Sequence, residues 1–219
     1  MKQIYISCSF SMQNELREAT DRMKQEISTM GYQPFVFIEQ YAFDITQEKE
    51  MMIQAMKDID ESCCLFAETT DKGIGIGIEA GYAKAQGKPV VYLRQADASH
   101  STTMSGMADY HILYDDIEDL GKQVKEVLLQ IQLEVELRKY ILDLVSEEKQ
   151  IFTKEVLAYL KEYKLRGGGQ ERTIEVLTAL GNTYDIVPQW RDKIDDVLDM
   201  VTGYCSPEWR VSIFVDRKK

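Results

Sequence analysis

The chain has 219 residues, of which 44% are hydrophobic and 29% charged. These proportions are typical of globular proteins and exclude a fibrous or wholly disordered chain. No apolar run approaches the ~18 residues of a membrane-spanning helix, and the N-terminus enters a strand-like run without the pattern of a secretory signal. We therefore expect a cytoplasmic protein whose four cysteines, without CxxC spacing, are reduced: Cys8, Cys63, Cys64 and Cys205.

The negative charge is concentrated in the first part of the chain. Residues 1–133 hold 12 Lys and Arg against 21 Asp and Glu, which gives −9 of the total −11. Neither part has the basic excess that general nucleic-acid binding requires. We therefore expect no general nucleic-acid binding and no membrane partner, although a single small ligand such as a mononucleotide could still bind through a few local donors. With two histidines in the chain, we expect no metal site.

Strand-like and helical patterns alternate over residues 1–133. Apolar runs predict five strands, at Lys2–Ser7, Pro34–Glu39, Cys63–Ala67, Pro89–Leu93 and Tyr110–Tyr114. Helical spacing predicts helices at Ser11–Met30, Thr46–Ile59 with Thr46 as N-cap, Ile78–Gln86, and from Ile117 onwards. This alternation indicates an α/β domain with a parallel five-stranded sheet and helices on both faces. Ligands of such sheets bind beyond the carboxyl ends of the strands.

From about residue 134 the pattern becomes helical. Helices are predicted at Val135–Leu144, Phe152–Leu165, Thr173–Leu180 and Arg191–Val201, and Trp209–Val215 alternates like an edge strand. We therefore divide the chain into an α/β domain, residues 1–133, and a small, mostly helical domain, residues 134–219. Gly167–Gly169 lacks the Lys-Ser/Thr of a phosphate-binding loop and is interpreted as a helix connection. Three aromatic residues are expected in the core of the small domain: Trp190, Tyr204 and Trp209.

The segment AETTDKGIGIGIEAGYA, residues 67–83, carries the clearest chemical signal. Gly73, Gly75 and Gly77 alternate before the predicted helix, where glycine allows a ligand close to the backbone. Glu79 is expected in the first helical turn, where the helix N-terminus favours an ionised carboxylate. Such a carboxylate beside a glycine-lined pocket can attack a sugar anomeric carbon or stabilise positive charge there.

Three other interpretations of this segment remain open. Gly75, Gly77 and Ala80 match the dinucleotide fingerprint G-x-G-x-x-A, although five residues, from Glu68 to Lys72, separate it from its strand. Glu79 could be an ordinary partner of the helix dipole. The glycines could simply permit tight packing of the helix on the sheet.

GIGIEAGYAKAQGKPV resembles the G-x-G-x-E-x-G-x-A signature, with its following GKP, of the nucleoside 2-deoxyribosyltransferase superfamily. AETTDKGIGIGIEAGYA is also similar to the equivalent stretch of the 2′-deoxynucleoside 5′-phosphate N-hydrolases. The resemblance covers residues 1–133 and implies a flavodoxin-like α/β fold. It further implies cleavage of an N-glycosidic bond through Glu79, with no cofactor.

Two further segments extend the resemblance. YISCSFS, residues 5–11, is similar to the first strand and loop of these families, which implies that Tyr5 orients the catalytic carboxylate and that three serines face the sugar or phosphate: Ser7, Ser9 and Ser11. STTMSGM, residues 101–107, resembles a Ser-x-Met-x-x-Gly stretch in which Thr103 replaces the methionine. There Ser101 would reach the phosphate bound by a neighbouring subunit, which implies a homodimer. Alternatively, Tyr5 is a core residue, Ser11 an N-cap and residues 101–107 a polar loop.

The sequence departs from the family pattern at the phosphate and acid positions. The N-hydrolases carry an arginine where this chain has Ser11, and Arg17 is the nearest substitute. Gly73 occupies the position of a family aspartate or serine, so the acid that would protonate the leaving base is sought at three other positions: Asp71, Asp58 and Asp44. His100 and His111 are interpreted as surface and structural residues.

These observations together predict an N-glycosidase that cleaves or transfers the base of a (deoxy)nucleoside or nucleoside 5′-monophosphate. Two alternatives stay open. One is a nucleotide-sensing module whose helical domain signals to a partner, and the other is an NAD glycohydrolase that uses the same glutamate.

Overall fold

Five parallel strands form a single sheet in the computed structural model, which describes residues 2–147, 149–185 and 187–211. The strands are β1 (Gln3–Ser7), β2 (Gln33–Val36), β3 (Ser62–Glu68), β4 (Val90–Gln95) and β5 (Tyr110–Tyr114). Their order is β2-β1-β3-β4-β5, which is the flavodoxin-like order. The predicted fold class is therefore confirmed. The direction of winding reverses between β1 and β3, where such folds form a crevice.

Helices connect these strands and continue to the end of the described chain. They are α1 (Arg17–Thr29), α2 (Phe37–Gln40), α3 (Glu48–Glu61), α4 (Ile74–Ala85), α5 (Thr102–Met107), α6 (Ile117–Ser146), α7 (Lys154–Leu165), α8 (Gln170–Thr183) and α9 (Pro188–Thr202). None of the helices within the described ranges combines the length and apolar character needed to cross a membrane.

Both faces of the central strands β1, β3 and β4 are buried. On one face, a single core joins strand residues to α3, α4 and α5: Tyr5, Leu65, Ala67, Val90 and Tyr92 pack with Ala55, Ile76, Ala80 and Met104. The alternate strand residues, which include Ile4, Ile6, Phe66 and Leu93, are at most 1% exposed. Because successive side chains of a strand point to opposite faces, helices must cover both sides. Tyr5 and Ser7 share the face of β1 that packs on α4.

The glycine segment differs from its prediction. Helix α4 begins at Ile74, so Gly75 and Gly77 lie inside its first turns, and Gly73 is the N-cap with an extended backbone (φ −106°). None of these three adopts the left-handed conformation. Burial of Ile76, Ala80 and Ala83 offsets the cost of about 1 kcal/mol that glycine imposes on a helix. The loop expected from these glycines is therefore a helix.

Other element boundaries also shift. Strand β2 ends at Val36, and Phe37–Gln40 forms a helical turn instead of continuing the strand. Helix α1 begins at Arg17, after a series of turns, so Ser11 is not its N-cap. Thr46 does not cap α3, because its backbone N–H and hydroxyl donate to Asp44 Oδ1. Such local side-chain hydrogen bonds compete with helix formation.

The chain divides into two compact units, residues 1–128 and 129–219, and the predicted boundary lies close by within α6. The second unit contains α7, α8 and α9, and its core includes Leu137, Ile141, Leu160, Leu177 and Val197. Residues 166–169 connect α7 to α8.

Two of the three aromatic residues expected in the second core pack against it. They are Trp190 and Trp209, whereas Tyr204 is 85% exposed, because it follows the left-handed Gly203 that ends α9. Trp209 closes a 3-10 turn (Pro207–Trp209) and does not begin a strand. Residues 212–215 of the predicted edge strand lie outside the described residues.

Candidate active site

Glu79 lies at the crevice between β1 and β3, with a hydrogen bond to each carboxylate oxygen. The hydroxyl of Tyr5 donates to Oε1 at 2.9 Å, and the hydroxyl of Ser7 donates to Oε2. The two donors reach the same carboxylate because their positions in β1 differ by two, which places both side chains on one face. The carboxylate is therefore held in one orientation from β1.

Burial raises the pKa of Glu79, and the hydrogen bonds from Ser7 and Tyr5 lower it part of the way back. Burial and the charge of Glu79 raise the pKa of Tyr5, so its hydroxyl keeps its proton and stays a donor. The expected helix-dipole effect does not account for this site. Glu79 is the sixth residue of α4 and lies in the second turn, whereas the dipole acts mainly within the first.

A second carboxylate, that of Asp71, lies in the loop between β3 and α4. The hydroxyls of Ser9 and Ser11 donate to its Oδ2 at 2.6 and 2.9 Å, and the two hydroxyls are 2.8 Å apart. These hydrogen bonds lower the pKa of Asp71. Asp71 therefore stays ionised at neutral pH and suits an acceptor better than the proton-donating role expected of it.

An aromatic cluster borders Tyr5. Phe37 stacks on Tyr5 with ring centroids 6.3 Å apart and on Phe43 at 6.0 Å, and Tyr41 lies 5.1 Å from Phe37. This cluster is not among the features predicted above, although the aromatic spacing in PFVFIEQYAF, residues 34–43, is a visible signal for it. Phe37 contributes because α2 turns its side chain into the core beside Tyr5.

Asp58, another candidate acid, is 5% exposed at this cluster. Its Oδ1 accepts from Gln54 at 3.0 Å and from the hydroxyl of Tyr41 at 3.4 Å. Its Oδ2 is buried and has no hydrogen-bond partner within the part of the chain that the structure describes. The charge of Asp58 contributes to the raised pKa of Tyr5.

A buried carboxylate that was not predicted, that of Glu68, lies at the end of β3. Glu68 has no exposed surface, and its Oε1 accepts from Thr70 and, at 3.1 Å, from the hydroxyl of Tyr114. Burial raises the pKa of Glu68. Cys8 is also a poor nucleophile, because burial raises the pKa of its thiol to about 12.

The structure does not join the other predicted residues to this carboxylate. The backbone N–H of Ser101 donates to the hydroxyl of Tyr92 at 3.1 Å, and Thr103 is exposed in α5, a short helix where the alternative interpretation was a polar loop. Among the described residues, neither of these side chains hydrogen-bonds to Glu79 or Asp71. An ideal Cβ at Gly75 or Gly77 would meet nothing within 4 Å, so both border open space.

The remaining polar candidates have local roles. Arg17 lines a separate cavity of about 320 Å³ with Cys8 and Lys24. Asp44 is exposed, and hydrogen bonds from Thr46 lower its pKa.

The two histidines are both exposed. The ring of His111 bonds to Ser105, and the backbone carbonyl of His100 accepts from Lys72 at 2.8 Å. In the described ranges no cluster of three His, Cys, Asp or Glu could hold a metal ion.

Several solved structures are similar to part of this chain. A conserved protein from Enterococcus faecalis V583 is 18% identical, with a TM-score of 0.48 over 58% of this chain and 99% of that one. A 2-deoxyribosyltransferase from Bacillus psychrosaccharolyticus is 17% identical (TM-score 0.45; 54% and 90% of the chains), and a CMP N-glycosidase from Clostridium botulinum is 15% identical (0.44; 57% and 99%). At these identities the likeness concerns the fold alone. No family model and no curated protein matches the sequence.

Proposed function

We propose that this chain is an N-glycosidase that cleaves, or transfers, the base of a (deoxy)nucleoside with Glu79 as nucleophile. The observation that carries the proposal is the Glu79 carboxylate itself, held at the topological switch point by Tyr5 and Ser7. A fixed, partly desolvated carboxylate is suited to attack on an anomeric carbon.

The reaction proceeds in two steps. A Glu79 oxygen forms a bond to C1′ as the C1′–N bond breaks, and the electron pair of that bond leaves with the base. Water, or the nitrogen of a second base, then attacks C1′ and releases the carboxylate. The transition state carries positive charge on the sugar, which the ionised Glu79 stabilises. Tyr5 and Ser7 act as positioning residues, because they touch the carboxylate.

Asp71 contributes to the choice of substrate. Its ionised carboxylate takes up the hydroxyls of Ser9 and Ser11, the groups that were expected to meet a phosphate. An anion at this position repels a 5′-phosphate and can accept a hydrogen bond from a sugar hydroxyl. We therefore place free nucleosides ahead of 5′-monophosphates as substrates.

In the first step the departing base either receives a proton from an acid or leaves unprotonated. Asp71 and Asp44 are ionised, so neither of these candidates supplies that proton. The same scarcity of acids favours the second candidate function, cleavage of NAD. The N-ribosyl nicotinamide ring is cationic and departs as a neutral base, so no proton donor is needed.

The proposal is tested by incubating the full chain with nucleosides, their 5′-monophosphates and NAD, and by measuring free base chromatographically. Glu79→Gln keeps the size of the side chain and one of its two acceptor oxygens but removes its charge, and should lower the rate by ~10² or more. Glu126→Gln, at an exposed position on α6, is the matched control. Turnover in Glu79→Gln equal to that of the control would rule out Glu79 as the nucleophile. Ligand binding without base release from any substrate would favour the sensing module.

A further inference from the structure

Helix α4 has a second apolar side, which faces away from the sheet. Its buried side consists of three residues: Ile76, Ala80 and Ala83. Four other residues recur at spacings of three and four positions, which places them together on the opposite side of the helix, and we call them the α4 stripe: Ile74, Ile78, Gly81 and Ala85. Ile74 is 85% exposed and Ile78 is 47% exposed.

The two charged residues of α4 do not lie on the stripe. The carboxylate of Glu79 accepts from Tyr5 and Ser7, and the ammonium of Lys84 lies 2.7 Å from Oδ1 of Asp109. A surface helix normally presents charged or polar side chains to water, whereas a helix that is apolar on every side is buried. The α4 stripe therefore has the composition of a buried contact, although it is exposed within this chain.

Gly81 is the member of the stripe that packing within the chain does not explain. A Cβ at this position would meet nothing within 4 Å, and its backbone does not adopt a positive φ. Alanine would fit here and would favour the helix, because glycine in a helix interior is destabilising. Glycine also allows a close approach of another backbone. Its place on an exposed stripe therefore indicates a close contact with a second helix.

The charge of the chain restricts where two copies of it can meet. Residues 1–133 carry −9 of the net charge of −11, so two copies repel each other across their charged surfaces. The α4 stripe is free of charge. Helix α5, which packs with α4 in the same core, contains no charged residue either and extends this uncharged surface. A second copy of the chain can approach here without bringing like charges together.

The stripe is also complementary to itself. Its N-terminal half holds two large side chains, Ile74 and Ile78, and its C-terminal half holds two small residues, Gly81 and Ala85. Because the members of each pair are four positions apart, an antiparallel pair of α4 helices can match both at once. Ile74 then lies opposite Ala85, and Ile78 lies opposite Gly81, so large residues fill the space above small ones. A two-fold axis repeats both matches, as a symmetric dimer requires.

We propose that two copies of this chain form a homodimer in which their α4 stripes pack antiparallel. The resemblance of residues 101–107 implies a homodimer through the start of α5, whereas the stripe places the contact on α4. The contact uses the outer side of α4 and does not depend on the reaction proposed at Glu79.

Sedimentation velocity of the full chain, over a concentration series at physiological ionic strength, tests the proposal. The natural chain should sediment as a dimer that dissociates on dilution. Ile78→Glu should weaken dimerisation at least ~100-fold, because each copy would bury an unpaired carboxylate. Ile45→Glu is the matched control, since Ile45 is 86% exposed and lies outside α4. Circular dichroism checks that both variants fold.

A further pair of variants tests the antiparallel register. Ile74→Glu should weaken the dimer as well, and it replaces Ile78→Glu should that variant fail to fold. Adding Ala85→Lys to Ile74→Glu should restore part of the affinity, because opposite charges then face each other in the dimer. A natural chain that stays monomeric at every concentration overturns the proposal and assigns the stripe to a partner of another sequence. Dimers that persist in both glutamate variants overturn it equally, and a lack of rescue by Ala85→Lys overturns the antiparallel register.

Discussion

The hydroxyl of Tyr5 donates to Oε1 of Glu79 over 2.9 Å, although 74 positions separate the two residues in the sequence. The contact joins the middle of β1 to the second turn of α4, and it lowers the pKa of Glu79 against the effect of burial. Through this contact the first strand sets both the direction and the ionisation of the proposed nucleophile.

Replacing Tyr5 with Phe should therefore change the pH dependence of base release as well as its rate. Without the hydroxyl the pKa of Glu79 rises further, so the acid limb of kcat/KM moves to higher pH. A hydrogen bond to a charged group contributes about 1.5–3 kcal/mol, which corresponds to a loss of about 10- to 150-fold in rate. The measurement is a pH–rate profile. Tyr204→Phe, at an exposed position, should leave the profile unchanged. A lower rate with an unmoved acid limb would assign Tyr5 a purely structural role.

Asp71→Asn should shift the preference between free and phosphorylated substrates. Asparagine keeps an acceptor for Ser9 and Ser11 but removes the charge that repels a phosphate, so KM for a 5′-monophosphate should fall by about 10-fold at low salt. KM for the free nucleoside should stay the same or rise. Steady-state kinetics with both substrates measures the ratio. Asp44→Asn, which alters another exposed acceptor, is the control. A proportional change for both substrates would show that Asp71 does not select against phosphate.

Glu68→Gln should make the stability of the protein less dependent on pH. Burial raises the pKa of Glu68 above its ordinary value of 4.5, so the folded state binds this proton more tightly than the unfolded chain. The stability that the folded state gains from this proton is fully present below pH 4.5 and is lost as the pH rises through the folded-state pKa of Glu68. The free energy of unfolding of Glu68→Gln minus that of the natural chain should therefore increase with pH. Urea unfolding between pH 4.5 and 8 measures it, and parallel curves would contradict the prediction.

The two units should respond separately to mutation. Ile141 has no exposed surface in the core of the second unit, so Ile141→Ala should destabilise that unit by about 2–5 kcal/mol. Base release should stay unchanged.

A chain that ends at residue 136 should likewise fold cooperatively in denaturant and keep its turnover. Aggregation of the shortened chain, or lost activity in the folded Ile141→Ala variant, would show that the first unit depends on the second.

The sequence predicts the sheet well because β1, β3 and β4 are buried on both faces. Runs such as Cys63–Ala67 and Tyr110–Tyr114 consist mainly of apolar, aromatic or β-branched residues. In the helices between the strands, apolar residues recur every three to four positions. The start of α4 was missed because local propensity argues against Gly75 and Gly77 in a helix. Tertiary burial of Ile76 and Ala80 overrides that propensity, and periodicity alone does not reveal it.

The candidate site could be predicted only in part. Glu79 and Tyr5 were named through the resemblance of short motifs. The role of Ser7 as a donor to Glu79 depends on how β1 meets α4, and the hydrogen bonds that Ser9 and Ser11 make to Asp71 depend on how the loops after β1 and β3 meet. Such contacts between distant positions follow from the crossover geometry, for which a single sequence carries no local signal.

The position of Glu79 inside regular helix limits how this chain can vary. A single insertion or deletion between Gly73 and Glu79 would rotate the carboxylate by about 100° around the helix axis and point it away from Tyr5 and Ser7. The segment from Thr69 to Lys72 precedes the helix, so an insertion or deletion there does not rotate Glu79 around the helix axis. Changes in loop length are therefore tolerated around Asp71 but not around the proposed nucleophile. Under the proposed function, substrate preference can therefore change through the loop that carries Asp71 while the Glu79 carboxylate stays fixed.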